Sequence, residues 1–200
     1  MGSDAEQIIS MYRRHADAWV ARRSKRLFER NWLDRFLALM PDAPLVLDLG
    51  CGAGQPVARY LLGKGCALTG VDTSPRMLER AQADMPQARW VNADMRGLEL
   101  DARFHGILAW NSFFHLTPDD QRKMFQVFKR YAAAGAALMF TSGPSYGEVL
   151  GELEGEVLYH ASLDASEYED LLDKHGFELV DHRIEDPDCG GHTVWLARGF

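Results

Sequence analysis

Val46-Leu47-Asp48-Leu49-Gly50-Cys51-Gly52-Ala53-Gly54 is a short apolar run that breaks into a G-x-G-x-G turn and then into a helix-forming stretch. A run of this length bounded by glycines reads as a buried strand. The glycines let the backbone turn sharply and approach a ligand at the carboxyl end of that strand, where open α/β sheets bind theirs. A tight strand-to-helix connection with no ligand uses glycines in the same way, so the turn speaks first to fold and only then to function.

Outward from this turn, short apolar runs alternate with helical segments, the pattern of stacked βαβ units and of a parallel sheet covered on both faces. Strands are predicted at Leu45 to Leu49, Ala67 to Val71, Arg89 to Val91, Gly106 to Trp110 and Ala136 to Thr141. The helices between them have marked ends. Pro56, Pro75 and Pro118 fall near first turns, Ser74 and Thr117 stand at N-cap positions, and Gly65 and Gly135 read as helix stops. The fold expected is one doubly wound, Rossmann-like α/β domain spanning 1–200, with 45–141 as its core.

Before the core, Ser3 and Glu6 match a capping box, and Ile8, Met11, Tyr12, His15 and Trp19 recur at helical spacing. A second helix, with Leu27, Phe28, Trp32, Phe36 and Leu37 on its apolar side, runs to Pro41. This 1–40 segment either folds over a ligand as a lid or packs on the sheet edge. After Thr141 the pattern lapses over 142–163, a stretch punctuated by Gly143, Gly147, Gly151 and Gly155. A long irregular insert of this kind is either a functional lid or a disordered loop. A helix at Asp164 to His175, stopped by Gly176, and two β-like runs, Phe177 to Arg183 and His192 to Ala197, complete 164–200.

Composition narrows the function classes. The 200 residues are 46 % hydrophobic and 26 % charged, ordinary for a globular chain. No stretch approaches the roughly 20 apolar residues of a membrane span, and the opening MGSDAEQ lacks the apolar core of a signal peptide, so a cytoplasmic protein without a membrane partner is expected. Cys51, Cys66 and Cys189 are odd in number and in no C-x-x-C pair, which suggests reduced thiols, and no His, Asp and Glu cluster predicts a metal. A net charge of −7 disfavours nucleic acid as partner, because binding along a phosphate backbone draws on clustered Lys and Arg. The one basic cluster, Arg22, Arg23, Lys25 and Arg26, is what a solvated helix face also looks like.

A second chemical signal is Gly70-Val71-Asp72-Thr73-Ser74, in which an acid closes the second strand 18 residues past Gly54. A carboxylate there can accept both hydroxyls of a ribose, as in dinucleotide and S-adenosylmethionine sites. It could also cap the next helix, although Ser74 already stands at that position. A nicotinamide fingerprint, G-x-G-x-x-G, would require glycine where Gln55 stands. That dinucleotide also wants a helix N-terminus free for its pyrophosphate, whereas Asp48 at this turn suits a cation.

In this order and spacing VLDLGCGAG, GVDTSPRML and NADM resemble the first three motifs of class I S-adenosylmethionine-dependent methyltransferases, with the match running over about residues 45 to 141. The resemblance implies a seven-stranded sheet whose last strand inserts antiparallel, S-adenosyl-L-methionine as cofactor and S-adenosyl-L-homocysteine as product. It implies that Asp48 and the backbone of Gly50, Cys51, Gly52 and Gly54 hold the methionine part. Asp72 would take the ribose, with Thr73 and Met77 beside it; Asp94 would meet the adenine amino group, and Met95 its ring. Trp110 and Asn111 would stand beside the sulfonium, and Tyr12 on the first helix is expected to cover the cofactor.

Methyl transfer asks for little side-chain chemistry, because the sulfonium is already activated and the task is to hold a nucleophile in line. A base helps where the acceptor must lose a proton. His115 and His160 are the candidate catalytic residues, each with a packed or surface histidine as the other reading, and His192, opening a strand, reads as structural. The segment Asn111-Ser112-Phe113-Phe114 lacks the two prolines of nucleobase-amine methyltransferases, so the acceptor expected is a small molecule. Trp110, Phe113 and Phe114 either line its pocket or pack in the core. A binding module that has lost transfer, or a nicotinamide oxidoreductase, are the competing functions.

Overall fold

The alternation of apolar and helical segments becomes an α/β domain in the computed structural model, which describes residues 4–22 and 26–200. The capping box assigned to Ser3, and Arg23 and Lys25 of the basic cluster, lie outside those residues. In chain order the elements are α1 (Asp4–Arg14), α2 (Ala16–Arg22), α3 (Arg30–Ala38), β1 (Leu45–Leu49), α4 (Val57–Gly63), β2 (Ala67–Asp72), α5 (Pro75–Asp84), β3 (Arg89–Asn92) and β4 (Phe104–Ala109). They continue with α6 (Pro118–Tyr131), β5 (Ala132–Ser142), β6 (Gly147–Leu153), β7 (Glu156–Ser162), α7 (Ala165–Lys174), β8 (Phe177–Asp186) and β9 (His192–Gly199).

Seven strands form one sheet in the order β3-β2-β1-β4-β5-β9-β8. The first five are parallel, and β9 inserts antiparallel between β5 and β8. The central strands are apolar and buried almost end to end, as a sheet covered on both faces requires. One core layer gathers Phe113, Phe125, Phe128, Phe140, Tyr168 and Trp195 under α6 and α7. The opposite layer packs Trp32, Leu33 and Phe36 of α3 against Val46, Leu108 and Met139. Phe113 is therefore core and not pocket lining, one of the two readings left open for it.

Three local differences from the sequence reading have physical causes. The opening helix is two helices broken at His15. Gly135 does not stop α6, which ends at Tyr131; it lies inside β5 with φ of 69°, because pairing with β4, beginning at Phe104 and Ala132, overrides the helical preference of the alanine run. The 142–163 insert is not irregular: β6 and β7 form an antiparallel hairpin closed by Glu154 and Gly155, both at positive φ, as a two-residue turn requires. Ile8 and Met11 of α1 bury themselves on Leu153, Tyr159 and Ala161 of that hairpin. Among the described residues no helix is long and apolar enough to cross a membrane.

Candidate active site

The loops that follow β1, β2, β3 and β4 open on one edge of the sheet, and α1 and α2 lie across them. Between loops and helices is a cavity of about 760 Å³. The glycine turn forms its floor: the N–H groups of Gly50 and Cys51 donate to the Val71 carbonyl at 2.8 and 3.1 Å, pinning the turn to the end of β2. Gly50 sits at φ of 75°, and a Cβ there would stand 2.2 Å from Cβ of Ser112. The Ser112 hydroxyl donates to the Leu49 carbonyl at 2.6 Å, so the β1 and β4 loops touch with no room for a side chain at residue 50.

Asp72 closes β2, and both of its oxygens are engaged by backbone N–H groups. Its Oδ2 accepts from the Gly52 N–H and its Oδ1 from the Ser74 N–H, each at 2.8 Å. Burial pushes its pKa up, and these N–H bonds hold part of that rise back. The side-chain cap expected of Ser74 is not made, and its hydroxyl is buried with no hydrogen-bond partner among the described residues, while the Ser74 N–H is held by Asp72. Each Asp72 oxygen retains lone-pair capacity for another donor.

After β3, Asp94 meets Arg96. Burial alone would raise the Asp94 carboxyl, but the guanidinium and the backbone N–H of Arg96, at 2.6 and 2.9 Å, hold it below the usual range. Arg96 also reaches Asp120 of α6 at 2.9 Å, which fixes this corner of the cavity.

After β4, Asn111 adopts φ of 50° with its N–H on Thr141 Oγ1 at 2.9 Å. His115 follows, buried, with Nδ1 2.8 Å from the Tyr159 carbonyl on β7 and Nε2 3.0 Å from the Tyr12 hydroxyl on α1. A carbonyl only accepts, so Nδ1 carries the proton. Burial, opposed by that carbonyl and reinforced by His160, lowers the His115 pKa to about 4, so the ring is neutral and its Nε2 accepts from Tyr12.

Ion pairs hold α1 and α2 at both ends. Arg14 and His15 pair with Glu156, and Arg22 with Glu154 at 2.6 Å, on the hairpin side. Asp17 pairs with Arg76 and Arg80 of α5, and Arg13 donates to the Thr73 carbonyl at 2.9 Å, on the sheet side.

The cavity collects Asp48, Gly50, Cys51, Gly52 and Gly54 after β1, Asp72, Thr73 and Met77 after β2, Asp94 and Met95 after β3, Trp110, Asn111 and His115 after β4, and Tyr12 from α1. His160 does not line it. Its ring stacks 4.8 Å from His115 and 5.1 Å from Phe114 and borders a second, smaller pocket of about 300 Å³ that also includes Tyr146. His192 stacks on Trp110 at 5.6 Å and donates to the Cys189 carbonyl, a structural role. The sequence reading did not single out Val20, Arg80, Arg96 and Asp120, which also line the cavity. The two-residue spacing of Asp94 and Arg96 was the one local signal for any of them.

Residues 46–135 match the family model described as a methyltransferase domain. Among curated proteins the chain is similar to a malonyl-[acyl-carrier protein] O-methyltransferase of Enterobacter lignolyticus, 31 % identical over 138 residues, which are 68 % of this chain and 48 % of that protein. The chain thus spans about half the length of that relative. In fold it is similar to the 1,6-didemethyltoxoflavin-N1-methyltransferase of Burkholderia thailandensis, solved with 1,6-didemethyltoxoflavin and S-adenosylhomocysteine bound, at a TM-score of 0.72 and 24 % identity over 98 % of this chain and 86 % of that one. It is similar also to magnesium protoporphyrin IX methyltransferase of Synechocystis, solved with S-adenosylmethionine bound, at a TM-score of 0.74 and 13 % identity over 100 % and 99 % of the two chains.

Proposed function

We propose, from the match of residues 46–135 to the methyltransferase-domain model and the likeness in fold to methyltransferases solved with S-adenosylmethionine or S-adenosylhomocysteine bound, that the chain binds S-adenosyl-L-methionine in the large cavity and transfers its methyl group to a small molecule, leaving S-adenosyl-L-homocysteine. The carrying observation is convergence: Asp72 tied across to the Gly52 turn, Asp94 at the neighbouring loop and buried Asp48 all face one cavity.

The residues fit that cofactor. A wall with five aspartates and two arginines suits a cation, and a Cβ at Gly52 would meet only Met77 Sδ, at 3.5 Å, so the turn leaves its upper side open. Bound there, S-adenosylmethionine supplies an activated methyl on a positively charged sulfur. In this reading Asp48 and the Gly50, Cys51, Gly52 and Gly54 backbone hold its amino-acid end, and Asp72, with Thr73 and Met77, holds the ribose. Asp94 and Met95 take the adenine; Arg96 already gives each Asp94 oxygen two hydrogen bonds, so the adenine amino group replaces one of these. Trp110, Asn111 and Tyr12 border the transferred group, and α1 with α2 covers the site and excludes water.

Calorimetry with S-adenosylmethionine, S-adenosylhomocysteine and NADH tests the reading. Binding of the first two and not of NADH is expected, followed by transfer of a labelled methyl group to one member of a small-molecule panel. NADH binding in their place would make this an oxidoreductase, and cofactor binding without transfer to any acceptor would favour a binding module.

A further inference from the structure

Tyr12 comes from α1, His115 from the turn after β4 and the Tyr159 carbonyl from the hairpin, three segments far apart in sequence that meet in one hydrogen-bonded line. The direction of that line is fixed by its far end. Tyr159 C=O can only accept, so His115 donates from Nδ1 and offers the lone pair of Nε2 to the Tyr12 hydroxyl. The phenol proton therefore points into the protein, toward His115. Tyr12 and His115 both line the cavity, and Tyr12 is braced edge-on by Trp19 with ring centres 5.3 Å apart. A phenol whose own proton is committed inward presents oxygen lone pairs, not a donor, to a ligand.

Charge on the cavity wall adds a second constraint. Among the described residues it carries five aspartates and two arginines, Arg80 and Arg96. Arg80 is paired with Asp17, and Arg96 with Asp94 and Asp120. An ionised carboxylate would enter an acidic cavity whose cations are already engaged, and having no proton to lose it would make no use of a base.

Resting on the methyl-transfer reading, we propose that Tyr12 and His115 are a proton relay for an uncharged acceptor whose nucleophile is an N–H or O–H group, and that carboxylates are not acceptors. The acceptor's nitrogen or oxygen bonds to the methyl carbon as the sulfur–carbon bond breaks, its electron pair remaining on sulfur. The acceptor proton passes to the Tyr12 oxygen while the Tyr12 proton passes to His115 Nε2. The positive charge brought in on sulfur rests only transiently on the buried imidazole, and the proton is handed back through Tyr12 to solvent as product leaves. Tyr12 is the catalytic residue, touching the acceptor; His115 acts through it, and the Tyr159 carbonyl sets its tautomer. Because α1 brings one member and the hairpin another, the relay is complete only with α1 docked on β7.

Two measurements on the full chain test this. In the first, nitrogen NMR of histidine-labelled protein saturated with S-adenosylhomocysteine identifies the His115 ring by its loss in His115→Gln. A neutral ring protonated at Nδ1 at pH 7, with an Nε2 shift that moves in Tyr12→Phe, is expected; a charged ring, or one protonated at Nε2, overturns the relay. In the second, labelled methyl transfer is compared for catechol, 8-hydroxyquinoline and benzimidazole against malonate, trans-aconitate and citrate. Transfer to the first set only is expected, with at least a tenfold fall in kcat for Tyr12→Phe and S-adenosylhomocysteine affinity within twofold. Methylation of the carboxylates, or full turnover in Tyr12→Phe, overturns the proposal. If no compound of either set is methylated, the tautomer decides. Failure of wild type to bind S-adenosylhomocysteine would sink the methyl-transfer reading itself, a result separate from the relay's.

Discussion

The Asp72 carboxylate joins two turns, its Oδ2 holding the Gly52 N–H of the glycine turn and its Oδ1 the Ser74 N–H at the start of α5, both at 2.8 Å. One side chain thus shapes the floor of the cavity and, in the proposed function, is the one that takes the ribose. Asp72→Ala strands two N–H groups, so a loss of about 1 to 3 kcal/mol in urea unfolding is expected. Affinity for S-adenosylhomocysteine should fall at least about tenfold, since hydrogen bonds to a charged acceptor are worth roughly 1.5 to 3 kcal/mol each. Unchanged affinity would remove the ribose assignment, and unchanged stability would remove the bridge.

Glycines at positive φ are required to different degrees, and Gly50 and Gly65 separate the reasons. Gly65, at φ of 86°, has open space where a Cβ would go, so Gly65→Ala pays only for the left-handed backbone, about 1 to 2 kcal/mol. At Gly50 the same strain is joined by a Cβ 2.2 Å from Ser112 Cβ, and the β4 loop has to move. Gly50→Ala should cost about 3 kcal/mol or more in chemical denaturation, with cofactor affinity lost. Equal costs for the two variants would show that the contact with Ser112 is relieved without penalty.

His115 makes stability pH-dependent with a definite sign. Burial lowers its pKa to about 4 from an ordinary value of 6.5, so between those values the unfolded chain binds a proton that the folded chain refuses. The contribution is therefore complete above pH 6.5 and is lost as pH falls toward 4. From pH 7 to pH 5 wild type should lose about 2 kcal/mol more than His115→Gln, because the buried histidines other than His115 titrate in both proteins and cancel in the difference. Parallel losses in the two proteins would mean that the ring takes up its proton without penalty in the folded state.

Much of the core was legible because its cues are local. The apolar runs of β1 and β2, the prolines opening α5 and α6 and the glycines after β1 each determine their own neighbourhood, and β1 falls where the sequence put it. The cavity-lining residues of the loops after β1 to β4 follow, since each lies within a few positions of a strand end. The hairpin was not legible: five consecutive residues of β6 are exposed, so no alternation of buried and exposed positions marks it as a strand. Nor could spacing reveal that Asp72 bridges the N–H groups of Gly52 and Ser74, or that Tyr12 meets His115 across 103 positions. Those are tertiary facts.

The hairpin brings Tyr146 and His160 to one small pocket apart from the large cavity. His160, a candidate catalytic residue in the sequence, borders this smaller pocket together with Tyr146, which is 60 % exposed. Tyr146→Phe removes a hydroxyl from a group that packs against little, so methyl transfer within about twofold of wild type is expected. His160 is different, because its ring packs against both Phe114 and His115, which also touch each other, and helps to confine the imidazole that accepts from Tyr12. His160→Ala should lower kcat by about three- to tenfold, the cost of a less ordered His115, with S-adenosylmethionine affinity unchanged because the ring is not on the cavity wall. His160→Phe keeps a flat ring in the stack and should restore most of the rate. If phenylalanine fails to rescue while cofactor affinity holds, His160 supplies chemistry through its nitrogens and the smaller pocket belongs to the acceptor site. If both variants turn over as wild type does, the stack has no part in holding His115.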